Sequence, residues 1–215
     1  MQSLFNTHYK YARLCERLYK TPNQVKCVKL HPSKGLVMIQ GSATLCDWKL
    51  NAKVELKKEH DVHSGFYEYA ASVIENNNIR ELYKECEHIT FIGHSSGGAA
   101  ALIVVYLMNE NLKKTKRKPL IELVLFGIPK ISGNSFTKMF QKIENVNMYI
   151  YKNGNDIVCR FPIGLEYNSF HPMLNINASD SCIPSVHDHF IASYRESLFS
   201  LAFPEVDDKD ASVET

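Results

Sequence analysis

No stretch of this 215-residue chain approaches the roughly 20 apolar residues that cross a bilayer. The longest apolar run, AAALIVVYLM (99–108), is about half that length and suits a buried helix better. The opening residues, MQSLFNTHYKYARLCERLYK, lack the apolar core and small-residue cleavage site of a secretory signal. A cytosolic protein is therefore expected, unless a precursor segment has been trimmed. Charge of one sign is also missing. The net charge is +2, which argues for neither nucleic acid nor an anionic surface as partner. The lysine-rich KKTKRK (113–118) lies between two apolar runs and reads as a solvated loop. CxxC pairs are absent too. Cys15, Cys27, Cys46, Cys86, Cys159 and Cys182 are scattered, so no zinc site, redox motif or other cofactor is called for, and free, partly buried thiols are expected. Internal repeats and long linkers are lacking. One domain is expected over residues 1–205, followed by an acidic, frayed tail at 206–215.

What is present is an alternation of helical and strand patterns. Residues 2–20 place Leu4, Phe5, Tyr11, Leu14 and Leu18 at near-helical spacing. VKCVKL (25–30) and GLVMIQG (35–41) read as strands joined by a turn around Pro32. Residues 42–53 are polar and irregular, and KVELK (53–57) reads as a short strand. A helix is expected from Phe66 to about Cys86. HITFIG (88–93) is a short, nearly continuous apolar run, as in a strand buried on both faces. Helix 96–112, strand 121–127, helix 134–143, strand 146–153 and helix 188–202 complete the series. This order predicts an α/β protein: a mostly parallel sheet with helices on both faces.

Between the strand at 88–93 and the helix at 96 stands Gly93-His94-Ser95-Ser96-Gly97, a G-x-S-x-G pentapeptide. The pattern alone recurs by chance. In a strand–turn–helix setting it lifts the Ser95 hydroxyl onto a strained turn at the C-terminal edge of the sheet. A side chain at either flanking glycine would collide with the neighbouring strand or helix. The bland alternative is a glycine turn with a helix-capping serine.

A serine hydroxyl needs a histidine as base, and the histidine needs a carboxylate to orient it. In this setting the chain order is Ser, acid, His. Asp156, in YKNGNDIVCRFP just after a strand, is the acid candidate, with Asp180 and Asp188 as rivals. His187 and His189, in VHDHFIASY, are the base candidates, and His171 is a third. A two-residue spacing does not suit a helical metal pair, so no metal is expected there.

With these residues in place, the chain resembles the class 3 (fungal-type) lipase family of α/β-hydrolases from about Val37 to Tyr194. Five blocks carry the resemblance in order: MIQGSATLCDWKLN (38–51), VHSGF (62–66), FIGHSSGGAAA (91–101), LVLFGIPKISGNSF (123–136) and YKNGNDIVCRFP (151–162). The resemblance implies an α/β-hydrolase fold. It makes Ser95 the nucleophile, Asp156 the acid and His189, rather than His187, the base. It also implies an oxyanion hole built from Ser42 and the backbone N–H of Ser96.

Three departures stand out. Gln40 replaces the family's usual arginine, which alters support for its loop. Ser96 replaces a common leucine, where only the backbone is required. Cys159 replaces a proline, which loosens the loop after the acid. The segment between Trp48 and His63 is short and charged. Its apolar cover is reduced to Leu45, Trp48 and Leu50, so an open, esterase-like site is expected. The implied activity is hydrolysis of lipid or small carboxylic esters, with transient contact with a lipid surface. An inactive interaction scaffold and a lipid acyltransferase are the alternatives.

Overall fold

In the computed structural model, which describes residues 1–42, 56–57, 59–112, 118–163, 167–170, 172–177 and 182–204, strand β1 (Val25–His31) turns straight back into β2 (Lys34–Ile39). From β2 onward every neighbour in the sheet is parallel. The order is β1-β2-β5-β6-β7-β8, with β5 (His88–His94), β6 (Leu120–Phe126), β7 (Val146–Lys152) and β8 (Met173–Asn175). A separate short ribbon pairs β3 (Leu56–Lys57) with β4 (Val62–His63).

Helices cover both faces, and side-chain alternation along each strand decides which residue meets which layer. Val37 and Ile39 of β2, Phe91 of β5 and Leu123 and Leu125 of β6 face one layer. That layer holds α2 (Ser64–Asn76), α3 (Ile79–Glu85), α4 (Ser96–Asn111) and α5 (Asn134–Phe140). Leu36, Met38, Ile92, Val124 and Phe126 face the other, under α1 (Gln2–Leu18) and α6 (Ile191–Ala202). The run AAALIVVYLM lies in α4 and is buried almost all round, as a helix without a polar face must be.

The alternating α/β pattern and most of its elements are found as expected, with three exceptions. The helix expected from Phe66 to Cys86 is broken at Asn77, whose backbone is extended (φ −135°, ψ 156°). Asn76, Asn77 and Asn78 carry short polar side chains that favour caps and turns over helix interiors. Strands β4 and β8 have no counterpart in the sequence reading. The expected cover at Leu45, Trp48 and Leu50, most of KKTKRK and the tail lie outside the described residues, as do His171 and Asp180.

Candidate active site

Strands β2, β5, β6 and β7 all end at one edge, and the chain leaving each contributes to one cluster. Ser95 follows β5 directly, with φ 57° and ψ −132°. An L-residue seldom holds that conformation unless its surroundings enforce it. The flanking glycines show how it is enforced. A Cβ at Gly93 would stand 2.7 Å from the Gly98 backbone, and one at Gly97 would stand 2.3 Å from Ile39 O. Strand, turn and helix are packed too closely for any other residue.

The helix-capping alternative for Ser95 is not realised, because no side-chain capping bond exists there. Its Oγ lies instead 3.0 Å from His189 Nε2. His189 Nδ1 lies 2.9 Å from Asp156 Oδ2. Asp156 is fully buried, and burial by itself would raise its pKa. The hydrogen bond and charge of His189, the Tyr194 hydroxyl and the Val158 N–H outweigh that and leave the carboxyl below its ordinary value. An ionised Asp156 can only accept, so His189 carries its proton on Nδ1. Nε2 is then a bare acceptor facing the Ser95 hydroxyl. This arrangement can draw a proton from the serine and hold the resulting imidazolium.

Of the two base candidates, only His189 reaches Ser95. The side chain of His187 is 79% exposed and leans on Asp188 Oδ1 at 3.9 Å. Asp188, a rival acid candidate, is engaged elsewhere. Its Oδ2 accepts the Asn155 N–H at 2.7 Å and so braces the loop that carries Asp156. Backbone pairing stitches the same two loops together, with Ile157 N donating to Ser185 O and Ser185 N to Asn155 O. The loosening expected from Cys159 is not seen: the segment forms a 3-10 turn, Val158–Arg160, and Phe161 N donates to Val158 O.

On the other side of Ser95, Ser42 follows the end of β2. Its N–H donates to Ser96 Oγ at 2.8 Å, and the two hydroxyl oxygens are 3.1 Å apart. The Ser96 side chain, expected to be dispensable, thus ties the β2 loop to the first turn of α4. Gln40 Oε1 is buried without a partner among the described residues. Its loop is held instead by the Tyr69 hydroxyl, which donates to Gln40 O at 2.9 Å.

Several contributors escaped the sequence reading. Tyr194 donates to Asp156 Oδ2 at 2.6 Å. Gly127, with φ 56°, sits against the Asp156–His189 pair, where a Cβ would stand 2.7 Å from Asp156 Oδ2. Its place at the end of a predicted strand was the available signal. Tyr19 and His94, 2.9 Å apart, had none in local pattern. No cluster of metal-ligating side chains occurs among the described residues.

A family profile for lipase (class 3) matches residues 36–165, more than half of the chain. Phospholipase A1-IIalpha of Arabidopsis thaliana is 31% identical over 114 residues, covering 50% of this chain and 27% of that protein. The secreted mono- and diacylglycerol lipase LIP2 of Malassezia restricta is 32% identical over 104 residues, covering 47% of this chain and 31% of that protein. The matched part is therefore about a third or less of each relative's own length. The triacylglyceride lipase of Rhizomucor miehei superposes with a TM-score of 0.66 at 14% identity, covering 88% of this chain and 94% of the other. That likeness speaks to the α/β-hydrolase fold.

Proposed function

The chain belongs to the class 3 lipase family, and on that premise we propose that it hydrolyses carboxylic esters of lipids through an acyl-enzyme on Ser95. The observation that carries the reading is the single imidazole, His189, held between Asp156 at 2.9 Å and Ser95 at 3.0 Å. Ser95 Oγ attacks the ester carbonyl carbon as its proton passes to His189 Nε2. The charged ring returns that proton to the leaving alcohol, and Asp156 keeps the ring oriented throughout. Water then attacks the acyl-enzyme by the same route. Ser42 and the Ser96 backbone N–H face the developing oxyanion, where each donor contributes about 3 kcal/mol.

Glycerides and phospholipids are the proposed substrates, by likeness to relatives whose names carry those activities. Contact with a lipid surface is proposed at the loops bearing the acid and the base, where Phe161, Ile163, Val186 and Phe190 are exposed. No helix among the described residues is long and apolar enough to cross a membrane. Labelling by a fluorophosphonate, lost in Ser95→Ala, tests the nucleophile, and fatty-acid release from diacylglycerol and phosphatidylcholine tests the substrate class. A folded chain that never labels would instead be an interaction scaffold. Transfer of the acyl group to a competing alcohol in preference to water would make it an acyltransferase.

A further inference from the structure

We propose that Tyr19, at the end of α1 and outside the family-matched residues 36–165, is a positioning residue whose hydroxyl couples the Gly41–Ser42 loop, through His94, to the main chain of His189. The proposal rests on the hydrolase reading above.

Gly41 N lies 3.1 Å from Tyr19 Oη, Tyr19 Oη 2.9 Å from His94 Nδ1, and His94 Nε2 2.7 Å from His189 O. The two ends of this chain of bonds have no freedom of role, because an amide N–H only donates and a carbonyl oxygen only accepts. His189 O must therefore take its hydrogen from His94 Nε2. That leaves His94 Nδ1 as a lone pair, so the Tyr19 O–H donates to it and the Tyr19 oxygen accepts from Gly41. All three bonds run one way, and reversing any of them would set donor against donor or acceptor against acceptor.

The groups are held in the states this needs. Burial, with the neighbouring His189, pushes the His94 pKa down to about 3, so the ring stays neutral. Burial also holds the Tyr19 phenol well above its ordinary value, so it keeps its proton.

What the bonds join gives them a function. One end lies beside Ser42, the proposed oxyanion donor, and the other is the peptide of the base. His94 itself precedes the nucleophile. Small misplacements between such groups are costly to rate, because the transition state requires all of them at once. A merely structural tyrosine would need only its ring, which already packs with the residues under α1. The hydroxyl reaches past that packing into the site.

The test is Tyr19→Phe, which keeps the ring and removes the oxygen. The parent is first titrated with a fluorophosphonate to count working sites. With the hydroxyl gone, kcat per titrated site is expected to fall about tenfold, the size of one transition-state hydrogen bond. KM should stay within about twofold, and affinity for a phenylboronic acid, whose adduct mimics the tetrahedral anion, should weaken in step with kcat.

If kcat per site stays within about twofold of the parent, the proposal fails. It also fails if KM rises while boronate affinity holds. Should Tyr19→Phe not fold, His94→Asn decides by the same readouts. It keeps an acceptor for Tyr19 but loses the donor to His189 O, so kcat and boronate affinity should again fall together. A parent that does not label would bring down the hydrolase reading and this proposal with it. A labelling parent with an unaffected variant overturns the role of Tyr19 alone.

Discussion

The two flanks of Ser95 are built to different standards. On the β7 side, Asp156 and His189 are fully and almost fully buried, and the loops that carry them are joined by backbone pairing, the Asp188 carboxylate and the Tyr194 hydroxyl. On the β2 side, three successive residues each bond a side-chain oxygen, Gln40 that of Tyr69, Gly41 that of Tyr19 and Ser42 that of Ser96, and the Gln40 N–H also donates to Gln24 O. Ser42 itself is exposed. The acid–base flank has overlapping supports, so losing one leaves others. Among the described residues the proposed oxyanion flank leans on fewer side-chain contacts, so the loss of Tyr19 or Ser96 there is expected to show in the rate. The difference fits the chemistry. An acid–base pair needs one fixed ring and carboxylate, whereas an oxyanion loop must leave its donors open to substrate.

This contrast can be broken at several points. Ser95→Ala removes the atom both flanks serve and should lower kcat about 10⁶-fold and abolish fluorophosphonate labelling. Asp156→Asn keeps the shape but disturbs the His189 tautomer, with a loss of about 10⁴-fold in kcat by steady-state kinetics. Ser42→Ala deletes one proposed oxyanion donor and should cost about 10²-fold in kcat with KM little changed. Ser96→Ala cuts only the brace on Ser42, and a loss of about three- to tenfold is expected; an unchanged rate would show that the loop keeps its place without it. His187→Ala should leave kcat/KM unchanged, since that side chain points to solvent.

Acid should weaken the frame between the flanks as well. Folded His94 has a pKa of about 3 and folded His63 about 4, both lowered chiefly by burial, while the unfolded residues titrate near 6.5. The unfolded chain therefore binds more protons below about pH 6.5, and stability should fall progressively from there towards pH 4. Urea denaturation at pH 7 and pH 5 measures it, and equal midpoints would contradict the buried, neutral state of both rings.

Much of this frame could be read from the residues. β5, β6, β7 and α4 match the sequence reading within one or two residues, β5 and α4 because elements buried on nearly all sides appear as almost unbroken apolar runs. Ser95 was identified by pattern and context together, since GHSSG lay between two such runs. Asp156 and His189 needed the family resemblance, because position alone left Asp188 and His187 open, and only the fold decides which of two neighbouring side chains turns inward. Tyr19, His94 and Tyr194 left no local trace. Their partners lie 75, 95 and 38 residues away, and a hydroxyl's reach across that distance depends on packing that periodicity does not encode. β8 is three residues long, too short for alternation to register.

Helix α1 packs alongside α6 under the sheet, which brings the two ends of the described chain together. During synthesis the strand–turn–helix that presents Ser95 can form midway, but the ring proposed to activate it belongs to a segment made nearly a hundred residues later. A ribosome-bound intermediate would thus display Ser95 before Asp156 and His189, its proposed acid and base, are in place.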